Sequence, residues 1–494
     1  MYPYPSRTGT KVSRRAFLRR CAAVGAATAL GCAQTARQQA VAPIRPAARS
    51  DDQPNIIVLV ADDQRWDSLS CAGNTVLKTP HIDALAADGV RFRQSFSTTA
   101  ICPSSRASIF SGLHTRCHGI DNFDSSLQAA VWQNSYPMQL RAAGYHTGFV
   151  GKWGVGNTLP TDDFDYFTGF SGQGNYFEPG RTKHLTTVQG DQAVEFLRGC
   201  RADKPFCLSV SFKAPHVQDE GRNMPGIYAK YPYDLAFEPL FQNVTVPFPK
   251  TVDVTPQPDF LRRSLNGTRE APDFSPANYQ EAMKALYRLI TGIDVAVGRI
   301  MDAVQDIGAE QNTIVMYTSD HGSFYGEHGF GGKWIMYEEA IRSPLILHDP
   351  RSPRQLRGTT RDQMVLNIDR SPTLLALAGI AAPPSVQGRS FLPVIYEPSL
   401  RGRSDWFYQQ TFRDGNTIAA TEGIRTEQWK YVRYIDTQPV YEQLFNLRAD
   451  PREETNLATD ARYLDTLNKL RERWVVWGDG LNSWRNDVPW KDPA

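Results

Sequence analysis

Short apolar runs recur along this chain, and each stops at a polar or charged cluster. Asn55-Ile56-Ile57-Val58-Leu59-Val60-Ala61 ends at Asp62-Asp63. The run 145–150 ends at Gly151-Lys152-Trp153, the run 206–212 at Lys213-Ala214-Pro215-His216, and the run 313–317 leads into Ser319-Asp320-His321. Runs this brief and this apolar predict buried strands. Between them, residues 80–88, 136–143, 188–197 and 279–307 carry helical periodicity. Strands alternating with helices predict an α/β fold with a large, mostly parallel central sheet flanked by helices. Ligands of such sheets gather beyond the carboxyl ends of the strands. Four runs ending in carboxylate, lysine or histidine are therefore expected to converge on one crevice.

Two stretches break this rhythm. Residues 218–276 are rich in proline and aromatics and only weakly periodic, which predicts a long excursion over the sheet and a place for substrate specificity. Beyond residue 400, segments 406–411, 419–421, 423–425 and 429–434 look like short antiparallel strands, followed by a helix over 461–475. The expected division is a leader over 1–32, a polar linker over 33–52, a main domain over 53–399 and a smaller C-terminal subdomain over 400–494.

Charge changes the picture at the N-terminus. The net charge of +2 includes six basic residues and no acid within 1–31; without them 48 basic residues face 52 acidic ones. The remaining body is slightly acidic, so no nucleic-acid footprint is expected, and an anionic substrate would need a local basic pocket. Ser13-Arg14-Arg15-Ala16-Phe17-Leu18 followed by a weakly apolar stretch looks like a twin-arginine signal. Leu30-Gly31-Cys32 also matches lipoprotein cleavage, with Ala29 at the usual leucine position, so a lipid anchor at Cys32 stays open. The expected destination is outside the cytoplasm, in the periplasm or on the cell surface, reached through twin-arginine export machinery. Seven cysteines are too few to staple 494 residues. Cys71, Cys117, Cys200 and Cys207 are expected to pack as small apolar groups, with one disulfide allowed by an exported address.

Cys102 has a different setting. It opens Cys102-Pro103-Ser104-Ser105-Arg106, and the helical character of 105–113 places it by a helix N-terminus, where free amides and the dipole favour an anion. Taken alone this motif is also what a buried inert thiol beside a surface arginine looks like. Asp62-Asp63 and Asp320-His321, each after a buried-looking strand, point to a divalent cation. Three carboxylates suit calcium or magnesium, while the imidazole leaves manganese open. Lys152 and Lys333, each between glycine and tryptophan, are the anion-binding candidates, and His216 is a candidate to protonate a leaving alcohol.

With these motifs in order, the chain resembles the formylglycine-dependent (type I) sulfatases of the alkaline phosphatase superfamily. The resemblance spans about 53–458 and rests on 54–63, Thr79-Pro80-His81-Ile82-Asp83-Ala84-Leu85, 102–112, 144–156, Ala214-Pro215-His216, 319–329 with Lys333, Gln387-Gly388-Arg389-Ser390, and Leu444-Phe445-Asn446-Leu447 with Asp450-Pro451. It implies an alkaline-phosphatase-like fold, a catalytic sulfatase domain over 53–399 and hydrolysis of a sulfated carbohydrate. Cys102 would be oxidised to formylglycine by a cytoplasmic maturation enzyme, and its hydrate would attack sulfur. His216 would protonate the leaving alcohol, and Lys152, Lys333 and Arg106 would offset charge on the sulfate and the nucleophile. Asp62, Asp63, Asp320, His321 and the modified Cys102 would hold one divalent cation, calcium first.

Two departures from the family pattern stand out. Ser104 occupies the usual proline position of the cysteine motif, and Gly154 stands where many relatives have a histidine. The role of that histidine is then vacant or filled from elsewhere, with His114, His118 and His184 as candidates by nearness in sequence alone. Two other readings fit the same residues: a phosphonate monoester or phosphodiester hydrolase of the same superfamily, and a catalytically silent protein that binds sulfated glycans with Cys102 still a thiol.

Overall fold

A computed structural model describes residues 53–493 apart from 181, 220–223, 252–256 and 416. The expected signal over 1–32, with Cys32, and the linker over 33–52 lie outside the described residues. The central sheet contains β1 (Asn55–Ala61), β2 (Val90–Phe92), β3 (His146–Lys152), β4 (Tyr166–Phe170), β5 (Phe206–Ser211), β6 (Thr313–Ser319), β7 (Leu345–His348) and β8 (Thr359–Arg361). Their order is β8-β2-β7-β6-β1-β5-β3-β4. Within it β7 is antiparallel to both neighbours and the other pairings are parallel. The four strands whose ends carried the chemistry, β6, β1, β5 and β3, lie side by side at its centre.

Side-chain alternation explains why these strands read as continuous apolar runs. Ile57, Leu59 and Ala61 of β1 join Leu208, Val210, Val315 and Tyr317 on one face. Ile56, Val58 and Val60 join Cys207, Ile314 and Met316 on the other. Both faces are covered, so both parities must be apolar. The first face packs under α1 (Pro80–Ala87), α3 (Leu185–Gly199) and the 28-residue α4 (Tyr279–Asp306). The second packs under α2 (Cys102–Ser111) and α5 (Arg370–Leu377).

The C-terminal part is an antiparallel sheet of β9 (Asp405–Gln410), β10 (Thr421–Thr426), β11 (Trp429–Tyr434) and β12 (Tyr441–Asn446), in that order. Phe407, Ile424, Tyr431 and Leu444 face Leu467, Leu470, Trp477 and Leu481 of α6 (Leu464–Asn482). Trp406, Tyr408, Val432, Tyr434 and Phe445 face the main domain, against Phe96, Ile335 and Met336. The sheet is thus sandwiched between its own helix and the body.

Most element boundaries fall where the apolar pattern put them, with instructive exceptions. The segments 419–421 and 423–425 are one strand: Gly423 pairs with Tyr408 on one side and Val432 on the other, rather than breaking it. The helix expected from residue 105 begins at Cys102, with Pro103 in its first turn, where proline is tolerated. The stretch 218–276 holds short helices such as Ile227–Lys230 and Asp259–Arg262 and no strand among its described residues. Cys71, Cys117, Cys200 and Cys207 are free thiols, half-buried or buried, as expected of small packing groups. No described helix is long and apolar enough to cross a membrane.

Candidate active site

Register brings the charged residues level with one another. Ala61 of β1 pairs with Ser319 of β6, so Asp62 and Asp320 are the next residues on neighbouring strands. Val60 pairs with Ser211 of β5, and Gly151 of β3 pairs with the same serine. Backbone bonds extend the ladder past the strand ends: Asp320 N–H donates to Ala61 O at 3.2 Å, and Asp62 N–H to Ala214 O at 3.1 Å. Asp62, Asp320, Lys152 and the turn leading to His216 therefore lie around one point. Asp63 has φ 66° and Trp334 φ 83°, left-handed values that cost energy for residues with a Cβ. Both flank this point.

Helix α2 delivers Cys102 to it. Every residue of α2 is buried although half of its first eight side chains are polar. Its hydroxyls are satisfied internally: Ser104 Oγ donates to Ile120 O at 2.7 Å, Ser105 Oγ to Asp320 O at 2.5 Å, and Ser108 Oγ bonds His118 Nε2 at 3.1 Å. Cys102 Sγ lies 3.2 Å from Asp62 Oδ1, 3.9 Å from Asp63 Oδ1 and 3.1 Å from Lys333 Nζ.

The cations interleave with the carboxylates. Lys152 Nζ is 2.5 Å from Asp62 Oδ2, and Lys333 Nζ is 2.6 Å from Asp63 Oδ1. Arg106 Nε donates to Asp320 Oδ2 at 3.1 Å, its Nη1 to Lys152 O at 3.0 Å, and its Nη2 is 3.6 Å from Asp62 Oδ1. Arg106 also bonds Ser211 Oγ. His216 Nε2 is 3.7 Å from Asp63 Oδ2. All nine sequence candidates, Asp62, Asp63, Cys102, Arg106, Lys152, His216, Asp320, His321 and Lys333, are buried together.

Burial and charge set the protonation states. Burial opposes ionisation of Asp62, but Lys152, His216, Arg106 and Lys333 overcome it and hold its carboxyl well below the usual range. Burial pushes Asp63 above its ordinary value, and Lys333 pulls it back only in part. Burial and then Asp62 push the Cys102 thiol up, so an unmodified Cys102 is protonated and a poor nucleophile. Burial would discharge Lys152 and Lys333, but Asp62 and Asp63 respectively keep both charged. Burial and Lys333 depress His216 well below its ordinary value, so its ring is neutral. His216 Nδ1 donates to Val217 O at 2.7 Å, which leaves the lone pair on Nε2, facing Asp63.

The donor set fits a divalent cation. One ligand atom each from Asp62, Asp63, Cys102 and His216 lie within 4.8 Å of one another, as do those of Cys102, Asp320 and His321. His321 Nδ1 donates to Gly322 O at 2.9 Å, which leaves a lone pair on Nε2. That buried Nε2 has no hydrogen-bond partner among the described residues and is 3.8 Å from Asp320 Oδ1. An orphaned imidazole lone pair beside the Asp320 carboxylate and the Cys102 thiol is the setting of a metal ligand.

The histidine position of the family pattern is closed. Gly154 has φ +72°, and a Cβ there would meet Arg106 Cδ at 2.5 Å. None of the three candidate replacements belongs to this cluster. His114 packs 5.8 Å from the Trp477 ring, His118 bonds Ser108 and the Ile120 N–H, and His184 caps α3 through the Thr186 N–H while donating to Pro232 O. Nearness in sequence misled because α2 starts at the site with Cys102, and His114 and His118 follow its far end, while His184 sits at the start of α3. Sequence reasoning also missed Ser211 and Gln173, whose Oε1 accepts from Lys152 Nζ at 2.5 Å, and Asn266, whose Nδ2 donates to Lys333 O at 2.6 Å. Such supporting residues carry no motif of their own.

Comparison with known proteins decides the family. The family model for sulfatases matches residues 54–380, about two thirds of the chain. The chain belongs to the sulfatase family. This sulfatase also matches, over 326–476, the model described as N-sulphoglucosamine sulphohydrolase, C-terminal. It is 27% identical to the N-acetylglucosamine-6-O-sulfatase of Bacteroides thetaiotaomicron, with 86% of each chain covered. In structure it resembles BT4656 solved in complex with its substrate D-glucosamine-2-N,6-O-disulfate, with TM-score 0.74, 24% identity, and 88% of this chain and 99% of that one covered. The phosphonate monoester hydrolase of Agrobacterium radiobacter shares the fold as well, with TM-score 0.69, 23% identity, and 85% of this chain and 95% of that one covered. The sulfatase is a sulfuric ester hydrolase with the alkaline-phosphatase-like architecture.

Proposed function

We propose that this sulfatase hydrolyses sulfate esters on a sulfated carbohydrate, using a formylglycine made from Cys102 and one divalent cation, calcium in preference to magnesium or manganese. We further propose that a cytoplasmic maturation enzyme makes the formylglycine before twin-arginine export to the periplasm or cell surface. The carbohydrate class is supported by the relatives that act on sulfated glucosamine. The observation that carries the chemistry is the placement of Cys102 Sγ between Asp62 Oδ1 at 3.2 Å and Lys333 Nζ at 3.1 Å. A protonated thiol in that position does little, whereas an aldehyde there is ringed by cations and carboxylates.

Position 102 would hold the formylglycine, whose hydrate would supply one hydroxyl to attack sulfur, with the alcohol leaving, and a second whose deprotonation would release sulfate. Asp62, Asp63, Asp320, His321 and the modified Cys102 would hold the cation, which supplies further positive charge beside the sulfate. Lys152 and Lys333, kept charged by their aspartates, hold the sulfate oxygens in a dry pocket where each contact counts for more than in water. Arg106 ties Asp62 and Asp320 to the β3 backbone and fixes the donor set. His216 rests neutral, and an anionic ester beside its Nε2 favours the imidazolium that hands a proton to the leaving oxygen.

The test is mass spectrometry of the Cys102 peptide from protein made with a competent maturation system, coupled to sulfate release. An aldehyde mass with turnover, lost in Cys102→Ala, is the expected result. A thiol mass with glycan binding and no release points to the silent reading. Faster turnover of aryl phosphate diesters than of aryl sulfates points to the phosphodiesterase reading.

A further inference from the structure

The loop after β4 crosses the end of the sheet and touches the site at two places. Gln173 Oε1 accepts from Lys152 Nζ at 2.5 Å. Three residues on, Tyr176 OH donates to His216 O at 2.7 Å, and Tyr176 N–H donates to Gln218 Oε1 at 3.0 Å. Gln218 Nε2 in turn bonds Asn175 Oδ1. Lys213 supports this arrangement from below, with Nζ 5.1 Å from the Tyr176 ring centroid. One short loop is therefore pinned to the strand that carries Lys152 and the turn that carries His216, and amide side chains do much of the pinning.

Gln173 differs from the others in how its amide is used. Its carbonyl end is committed to Lys152, which is fully buried, while Gln173 itself is half-buried. An amide is planar, with oxygen and nitrogen on opposite arms, so the nitrogen is left for another partner. No described residue takes up that nitrogen. That nitrogen is not among the buried polar atoms left without a partner, so its two N–H donors are open to solvent on a side chain that touches a buried cation of the site. A sulfate held on Lys152 would bring its alcohol close to this side chain.

We infer that Gln173 is a substrate-binding and positioning residue: its carbonyl orients Lys152, and its NH2 group donates to an oxygen on the sugar that carries the sulfate. The inference rests on the sulfate-ester reading above and adds the group that recognises the alcohol. A neutral amide suits a neutral, hydroxyl-bearing ring, because it offers directed donors without a desolvated charge. A flat aryl ester has no oxygen to meet them. A donor matched to a substrate oxygen discriminates against an ester that lacks it by leaving the donor unpaired.

The test compares wild type, Gln173→Ala and Gln173→Glu, each matured and each checked for its melting temperature, on glucosamine 6-sulfate and on an aryl sulfate. The quantity read is the ratio of kcat/KM for the sugar ester to that for the aryl ester. Gln173→Glu keeps an oxygen for Lys152 and removes the donor, so the ratio should fall about tenfold, the worth of about 1.4 kcal/mol, chiefly through KM for the sugar. Gln173→Ala loses both roles, so kcat should fall on both esters and the ratio should fall as well. An unchanged ratio in both variants would overturn the inference, leaving Gln173 as a support for Lys152 alone. Sulfate release from neither ester by matured wild type would sink the sulfatase reading, and this inference with it.

Discussion

Gly154 offers the sharpest test of how the site is built. A Cβ at this position would lie 2.5 Å from Arg106 Cδ and 3.1 Å from Nε, and φ is +72°. Gly154→Ala therefore carries two costs. The left-handed backbone disfavours any L side chain by roughly 1–2 kcal/mol. Restoring ordinary contact also requires the arginine to retreat by about 1 Å, since carbon atoms rest near 3.5–4.0 Å. Arg106 is not free to do so, because it bonds Asp320, Ser211 and the Lys152 carbonyl and faces Asp62. Losing one hydrogen bond to a charged partner costs about 1.5–3 kcal/mol, and a misplacement of about 1 Å at a reacting centre can cost about a hundredfold in rate. We expect Gly154→Ala to lower stability by about 1–2 kcal/mol, read from a denaturant midpoint, and kcat/KM by between about tenfold and a hundredfold. Gly154→His should do no better than Gly154→Ala, although it restores the commoner family residue. A Gly154→His enzyme that equals or exceeds wild type on an aryl sulfate would refute the reasoning, because it would show that Arg106 does not own that space.

Three further outcomes follow from other contacts. Lys333→Ala should cut kcat by about a hundredfold or more, since Lys333 Nζ lies 2.6 Å from Asp63 and 3.1 Å from Cys102; single-turnover sulfate release measures it. Glu339 is buried, and desolvation and then Glu327 raise its carboxyl to about 7. The native state therefore holds its proton more tightly than the unfolded chain does, and stability declines as pH rises from about 4.5 to 7. Glu339→Gln should leave the melting temperature nearly unchanged at pH 4 and raise it relative to wild type at pH 8; an equal difference at both pH values would show that the carboxyl does not titrate in that window. Ser104→Ala should cost about 1 kcal/mol by orphaning the buried Ile120 carbonyl that Ser104 Oγ meets at 2.7 Å, and thermal unfolding with aldehyde quantification separates this loss from any loss of maturation.

The sequence by itself determined the frame and the reactive list. Runs such as 55–61 and 313–317 are apolar at both parities because helices cover both faces of the sheet, so their strand character survives any detail of packing. Residues at the ends of parallel strands must share one edge, and so Asp62, Asp320, Lys152 and His216 were readable as a group before any coordinate. Cys102 and Arg106 were readable through their spacing, and so was the family. What the sequence could not decide depends on contacts between distant segments. Nothing in the sequence marked the serines of α2 as buried, yet the helix is wholly buried and Ile120 O, Asp320 O and His118 accept or share their bonds. Gly154 looked like a vacancy awaiting one of three histidines, and only the path of the Arg106 side chain showed that the space is filled. Gln173 had no pattern at all, because a residue that works through one hydrogen bond to a lysine on another strand leaves no period or motif behind. Chain spacing and hydrophobic parity are local properties and survive in the linear order. Which buried polar atom meets which partner is settled only when the segments close on one another.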